Sequence, residues 1–91
     1  MQRMKDKVVL VTGGAGGIGS GIARRMAAEG ATVLVADIVL DGAERVAGEI
    51  GGDASAIRFD AYDRAAIEAM IGTVIARHAR LDVLVNNVAD T

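Results

Sequence analysis

A glycine-rich stretch, Gly13–Gly19, stands between two apolar segments and limits the folds open to this chain. Val8–Val11 precedes it, and a continuous apolar, β-branched run of this kind is typical of a strand buried on both faces. After it, Ile18, Ile22 and Met26 recur every four residues, as on one face of a helix. A strand, a glycine turn and a helix in this order favour a loop whose N–H groups, at the helix start, face a bound phosphate.

The rest of the chain repeats this alternation of short apolar runs with helical periodicity. Three further strands are predicted at Thr32–Ala36, Ala54–Phe59 and Leu81–Val85. The second helix is expected to begin after an N-cap at Asp41, with Glu44 as capping-box partner, and the third after an N-cap at Asp63. The order βαβαβαβ implies parallel strands with right-handed crossovers. We therefore predict a doubly wound α/β sheet of four parallel strands with helices on both faces.

Size and composition exclude several classes of function. With 91 residues there is room for one core, so residues 1–91 are treated as one domain. A net charge of −2 gives no basic stripe for nucleic acid, and the absence of cysteine with a single histidine, His78, argues against a metal site. The longest apolar runs, about four residues, fall short of the roughly 20 that a membrane-spanning helix needs. We expect a cytoplasmic protein with no nucleic-acid or membrane partner.

The glycine stretch matches two spacings of dinucleotide-binding loops. Gly14–Gly19 fits the general pattern G-x-G-x-x-G, and Thr12–Gly19 fits T-G-x-x-x-G-x-G, which resembles the short-chain dehydrogenase/reductase family. The resemblance implies cofactor contacts from Gly13, Ala15, Gly16, Gly17, Ile18 and Gly19. The alternative, a glycine-rich flexible loop without a ligand, is disfavoured by the strand and helix around it.

Asp37 ends the second strand, 18 residues after Gly19. In dinucleotide-binding folds an acid about 20 residues beyond the glycines accepts hydrogen bonds from the adenosine ribose hydroxyls, and it would repel a 2′-phosphate. Ile38 follows it, and the glycine loop contains no Arg or Lys to bind that phosphate. The sequence thus predicts NAD(H) rather than NADP(H). An Asp that merely begins a turn at the strand end is the alternative.

Two further strand ends also resemble the family. Asp60 and Ala61 follow the third strand, where the family places an Asp and a small residue at the adenine edge; the alternative for Asp60 is a loop acid. The run N-N-V-A follows the fourth strand, where the family usually has N-N-A-G. By analogy Asn86 braces the sheet, Asn87 lies beside the cofactor ribose, and Val88 is counted among the cofactor contacts. A plain turn formed by the two asparagines is the alternative.

The family's catalytic Ser and Tyr-x-x-x-Lys follow the fourth strand and have no counterpart here. The one tyrosine is Tyr62, and the residue four positions later is Ala66, so no catalytic residue is assigned. The resemblance implies the NAD-binding half of an oxidoreductase, incomplete relative to the family, whose parent reaction is hydride transfer between NAD and an alcohol or ketone. A non-catalytic, stand-alone nucleotide-binding module and a designed minimal half-fold remain alternatives.

The resemblance implies a Rossmann-like α/β sheet, doubly wound, in the strand order 3-2-1-4, with the first two helices on one face and the third on the other. This order leaves Leu81–Asn86 at an edge of the sheet. This segment carries one charge and no proline, and poorly protected edges of this type pair with other chains. We therefore expect a homo-oligomer or association through this strand. An alcohol or ketone substrate is expected only together with the C-terminal half that the resemblance implies.

Overall fold

The computed structural model describes residues 3–87, which form a four-stranded sheet flanked by three helices. The elements are β1 (Val8–Thr12), α1 (Gly17–Ala28), β2 (Thr32–Asp37), α2 (Leu40–Ile50), β3 (Ser55–Arg58), α3 (Arg64–His78) and β4 (Val83–Asn86). All neighbouring strands are parallel, in the order β3-β2-β1-β4. The predicted Rossmann-like α/β sheet and its strand order are confirmed.

The core lies on both faces of the two central strands, β1 and β2. Because successive strand residues point to opposite faces, valines and leucines are sorted between two clusters. One cluster packs Val9, Val11, Val33 and Val35 against Ala23 of α1 and Ala43, Val46 and Ala47 of α2. The other packs Leu10 and Leu34 against Met70 and Val74 of α3. Two-sided burial explains the unbroken apolar runs, and the predicted distribution of helices over the two faces is confirmed.

Helix α1 faces the sheet with two small residues. Gly19 and Ala23 are its buried residues, while Ile22 and Met26 pack partly buried against the valine cluster. The expectation that Ile18 shares this face is wrong, because its side chain is 74% exposed. The buried row begins one residue later, at Gly19, where the helix approaches the loop after β1 too closely for a side chain.

The starts of α2 and α3 show where capping is predicted correctly from the sequence and where it is not. Asp63 caps α3 by accepting a hydrogen bond from the Ala65 N–H at 3.0 Å, as expected. The prediction that Asp41 caps α2 is wrong: the N-cap is Val39, whose carbonyl accepts the Ala43 N–H. Asp41 therefore lies within the first turn, because the helix starts earlier than the capping box implied.

Strand β4 is fixed to β1 at its amino end by Asp82. Its Oδ2 accepts hydrogen bonds from the Val8 N–H at 2.8 Å and from Arg80 Nε at 2.8 Å, and its Oδ1 from Arg80 Nη2 at 2.6 Å. The Arg80 guanidinium and then the Val8 N–H hold the pKa of Asp82 below its ordinary value. On its other side β4 has no partner strand among residues 3–87, and Leu84 is 46% exposed there.

Candidate functional site

A cavity of about 210 Å³ opens where the carboxyl ends of the strands meet. Its lining residues are Gly13, Asp37, Ile38, Phe59, Asp60, Ala61, Tyr62 and Asn87. It brings together six of the predicted site residues, one or more from the end of each strand. Ala15, Gly16, Gly17, Ile18 and Gly19 lie on the adjoining loop and the start of α1. Val88, also predicted, lies outside the described residues.

Three consecutive N–H groups fix the glycine loop, two of them through bonds to the end of β2 and one through a bond within the loop. The Gly14 N–H donates to the Ala36 carbonyl at 3.1 Å, and the Gly16 N–H to the Gly13 carbonyl at 3.3 Å. Between them, the Ala15 N–H donates to Asp37 Oδ2 at 3.0 Å. The loop between β1 and α1 therefore has a defined conformation, tied to the end of β2.

Two glycines are required where the backbone segments come close, Gly13 in the loop and Gly19 in α1. Gly13 has a φ of +66°, and a Cβ there would lie 2.8 Å from the Asn87 carbonyl oxygen. A Cβ on Gly19 would overlap the Gly13 carbonyl oxygen and lie 2.9 Å from Asn87 Nδ2. A Cβ on Gly17 would meet no atom within 4 Å. Gly13 and Gly19 thus allow α1, the loop and the end of β4 to approach one another.

The N-terminus of α1 is open to an anion. Its N-cap is Gly16, no side chain within residues 3–87 caps it, and its first turn contains no acid. Helix α3, in contrast, has the Asp63 carboxylate on its first turn. The first N–H groups of a helix have no intrahelical acceptor, and the helix dipole makes this end favourable for negative charge. The start of α1 can therefore bind a phosphate or pyrophosphate.

Asp37 presents a partly satisfied carboxylate beside the cavity. Its Oδ2 accepts the Ala15 N–H and its Oδ1 accepts the Val39 N–H, each at 3.0 Å. A carboxylate has about four acceptor positions, so each oxygen keeps one free. The two free positions match the two O–H donors of a vicinal diol. The neighbouring Ile38 side chain is 51% exposed and offers an apolar surface at the same rim.

Thr12 belongs to the glycine pattern, but sequence reasoning assigns it no role in the site. Its Oγ1 lies 3.0 Å from Asn86 Oδ1 and 3.2 Å from the Val85 carbonyl oxygen, and it accepts the Asn87 N–H at 3.1 Å. This hydroxyl joins the ends of β1 and β4 and fixes Asn87 beside Gly13. A signal is present in the sequence, since a threonine that ends a buried strand must find hydrogen-bond partners.

The loop after β3 forms the remaining wall of the cavity. Asp60 Oδ1 accepts the Tyr62 N–H at 2.9 Å, so one oxygen of this predicted site residue serves the loop itself. Tyr62 is 74% exposed at the rim, whereas Phe59 is buried and forms part of the floor. The sequence pattern assigns Phe59 only to the strand. Its position just before a strand-ending acid is the one signal that it reaches the site.

Two further kinds of site find no support in this part of the chain. Within residues 3–87 no three metal-ligating side chains come together. Over the same range no helix is long and apolar enough to span a bilayer.

The sequence matches a known family along almost its whole length. The model of the short chain dehydrogenase family covers residues 7–90. The chain belongs to this family. Galactitol 2-dehydrogenase from Agrobacterium fabrum is 45% identical to it over 87 residues, which are 96% of this chain and 34% of that enzyme. The short-chain dehydrogenase/reductase resemblance read from the glycine loop is thus confirmed.

Solved structures of dehydrogenases and reductases share the fold. A hydroxysteroid dehydrogenase from Escherichia coli superposes with a TM-score of 0.92 at 36% identity, covering 98% of this chain and 39% of its own. A 3-ketoacyl-(acyl-carrier-protein) reductase from Brucella melitensis, complexed with NADH, gives a TM-score of 0.85 at 40% identity, over 89% of this chain and 34% of its own. The chain spans about a third of the length of most of the curated relatives it matches.

Proposed function

We propose that this chain is the NAD(H)-binding part of a short-chain dehydrogenase/reductase. The parent reaction is hydride transfer between NAD and an alcohol or ketone. The observation that carries the proposal is the pair of free acceptor positions on Asp37, beside the loop at the start of α1. A reductase of the same family and similar fold is complexed with NADH, which supports a nicotinamide dinucleotide as the ligand.

The preference for NAD(H) over NADP(H) follows from charge at Asp37. The adenosine ribose of NAD offers two hydroxyl donors, which the two free acceptor positions of the carboxylate can take. A 2′-phosphate would replace one donor with negative charge next to a carboxylate. Two like charges 4 Å apart repel by about 1 kcal/mol in water and by several times more near a protein surface. No Arg or Lys occurs in the glycine loop, and Ile38 occupies the next position on the β2 side.

The other predicted residues fit the rest of the dinucleotide. The start of α1, with Gly17 and Ile18, would take the pyrophosphate on its N–H groups. Ile38 and Ala61, which both line the cavity, would contact the adenine, with Asp60 at its edge. Asn87, held by Thr12, would lie beside the second ribose.

In this proposal the protein residues bind and orient, and the bound nicotinamide supplies the hydride chemistry. The alcohol or ketone and the acid–base residues that act on it would belong to a part of the enzyme outside these 91 residues. The galactitol and sorbitol dehydrogenases among the relatives act on polyols according to their names. An alcohol or ketone is the class of substrate we propose here.

Calorimetric titration with ADP-ribose and with its 2′-phosphorylated form tests the cofactor preference. ADP-ribose should bind at least about tenfold more tightly than its 2′-phosphorylated form, because only the phosphorylated form places a negative charge next to Asp37. The double substitution Asp37→Ala with Ile38→Arg should reverse the order. Asp53→Ala, which removes an exposed acid from the loop before β3, is the matched control and should leave the wild-type order of the two affinities unchanged. Equal affinities for the two ligands in the wild-type chain would refute the role of Asp37.

A further inference from the structure

One hydrogen bond joins the two parts of the proposed cofactor site. The Ala15 N–H, in the loop that would lie beside the pyrophosphate, donates to Asp37 Oδ2 at 3.0 Å. Asp37 is the residue proposed to accept the ribose hydroxyls, and it lies 22 positions later in the sequence. Among residues 3–87, no other side chain accepts a hydrogen bond from the N–H groups of residues 14–16. The loop and the ribose acceptor are therefore in direct contact.

This bond differs in kind from its neighbours. The Gly14 and Gly16 N–H groups donate to backbone carbonyls, so their bonds do not depend on which side chain stands at position 37. The Ala15 bond depends on that side chain alone. It is also charge-assisted, and hydrogen bonds to a carboxylate are roughly twice as strong as neutral ones. Removing the carboxylate would release the middle of the loop while its two flanks stay fastened.

The carboxylate is itself fixed from the other side. The Val39 N–H holds Oδ1 at 3.0 Å, so each oxygen carries one backbone donor and the plane of the group is set. The loop is also held by packing against α2, because a Cβ on Gly42 would lie 3.0 Å from Ala15 Cβ. Any group that binds the free positions of Asp37 would therefore act on an already oriented carboxylate, and through it on Ala15.

We infer that Asp37 is a positioning residue for the glycine loop as well as the ribose acceptor. Two hydroxyl donors on the carboxylate hold it still, so the Ala15 N–H bond opens less often and the loop keeps the conformation that receives the pyrophosphate. By linkage, a pyrophosphate at the loop favours ribose binding to the same extent. This inference rests on the proposed function, since it assumes that the adenosine ribose binds at Asp37.

Amide hydrogen exchange of the full 91-residue chain, followed by NMR, measures the bond directly. Asp37→Ala should raise the exchange rate of the Ala15 amide by about tenfold or more, because a hydrogen bond to a charged group is lost. The Gly14 amide, bonded to a backbone carbonyl, is the internal control and should be unchanged. Asp53→Ala should alter neither amide. An Ala15 exchange rate that Asp37→Ala leaves unchanged would overturn the inference.

Binding of 2′,3′-dideoxy-ADP separates loop positioning from ribose contact. This ligand carries the diphosphate but neither ribose hydroxyl, so a residue that contacts only those hydroxyls cannot affect it. Loop positioning predicts weaker binding to Asp37→Ala than to the wild-type chain. Equal binding would mean ribose contact only, and tighter binding would mean that only charge repulsion was removed; either result contradicts the inference. If the wild-type chain bound ADP no better than dideoxy-ADP, the ribose contact of the proposed function would fail instead.

A measurement on the wild-type chain covers the case in which Asp37→Ala does not fold. The chain is saturated first with ADP and then with 2′,3′-dideoxy-ADP, and amide exchange is compared between the two complexes. The Ala15 amide should exchange more slowly in the ADP complex, while Gly14 is the same in both. Equal Ala15 rates in the two complexes would show that the ribose hydroxyls do not act on the loop.

Discussion

A methyl group at position 19 would overlap the Gly13 carbonyl oxygen, whereas one at position 21 would meet no atom within 4 Å. Both glycines lie in α1, so the pair separates crowding from helix propensity. Gly19→Ala should lower the free energy of unfolding by about 1–3 kcal/mol, as overpacking does, and weaken ADP-ribose binding. Gly21→Ala should raise it by up to about 1 kcal/mol, since alanine favours a helix. Urea unfolding gives the free energy of unfolding of each variant. Equal changes in this free energy for Gly19→Ala and Gly21→Ala would contradict the close approach of α1 to the loop.

Residue chemistry at the strand ends is predictable only in part. The position of Asp37 after a strand, and its spacing from the glycines along the chain, are enough to point to a cofactor contact. Its bond to the Ala15 N–H cannot be read from the sequence, because it depends on how the loop folds back onto β2. Gly17 and Gly19 are both fixed glycines of the T-G-x-x-x-G-x-G pattern, so the sequence does not distinguish their roles. Only the packing around them shows that Gly19 is crowded and Gly17 is not.

At the scale of the elements, α2 and α3 offer a comparison of two acids at helix starts. Asp63 accepts a capping hydrogen bond and Asp41 does not. Asp63→Ala should therefore lower the free energy of unfolding by about 1 kcal/mol, the usual effect of losing an N-cap. Asp41→Ala removes only the interaction of its charge with the helix dipole and should cost less. Denaturation midpoints of both variants give the comparison, and a greater loss for Asp41→Ala would restore the capping box predicted from the sequence.

The junction between β1 and β4 should make stability depend on acid pH. Arg80 and the Val8 N–H lower the pKa of Asp82 below 3.8 in the folded chain. A carboxyl that binds its proton more weakly when folded contributes stability above about pH 4 and loses it as the pH falls through the folded pKa. Asp82→Asn and Arg80→Gln should each flatten the fall in stability below about pH 4. Part of the fall should remain, because Arg24 lowers the pKa of Glu49 in the same direction.

Chemical denaturation at a series of pH values between about 2 and 6 tests this. The difference between wild type and Asp82→Asn should shrink as the pH falls. A constant difference over the whole range would show that the Asp82 carboxylate adds nothing to the acid sensitivity of the fold.

Helix boundaries are the least predictable part of the elements. Periodicity locates all three helices, because their apolar residues repeat with the helical period. The sequence pattern predicts that α2 begins after Asp41, but the helix begins at Leu40. The acid at this turn is Asp37, at the end of the preceding strand, which accepts the Val39 N–H. In α3 the apolar residues are only partly buried, since Met70 and Val74 lie in the core but Ile67 is 38% and Ile75 44% exposed. Periodicity predicts which residues share a face, but not what covers that face.

For the whole molecule, the arrangement of the sheet is predictable and its surroundings are not. Alternating strands and helices restrict the sheet to parallel strands with right-handed crossovers, and the family resemblance points to the 3-2-1-4 order. Helices α1 and α2 pack on one face of the sheet, and α3 packs on the other. Leu84, on the edge strand β4, and Ile67, on α3, line a cavity together with Phe59, Ala61 and Tyr62, which follow β3.

We predict that the 91-residue chain self-associates through this edge. Strand β4 has backbone hydrogen-bonding groups without a partner strand among residues 3–87, and Leu84 adds apolar surface beside them. Leu84→Lys should shift the chain toward the monomer, as charged residues protect sheet edges. Val39→Lys is the matched control, at an exposed apolar residue next to β2. Light scattering coupled to size exclusion at micromolar concentration gives the mass, and a monodisperse 9.3 kDa wild-type species would contradict the prediction.

The position of the cofactor at the carboxyl ends of the strands is the central claim, and NMR shift mapping with ADP-ribose tests it most directly. Amide signals of residues 13–19, 37–38 and 60–61 should move together as the ligand is added. Signals of residues 51–54, which precede β3 and line cavities near the amino ends of β2 and β3, should stay in place. Shifts concentrated at residues 51–54, or no shifts at millimolar ligand, would contradict a dinucleotide site built by the glycine loop and Asp37.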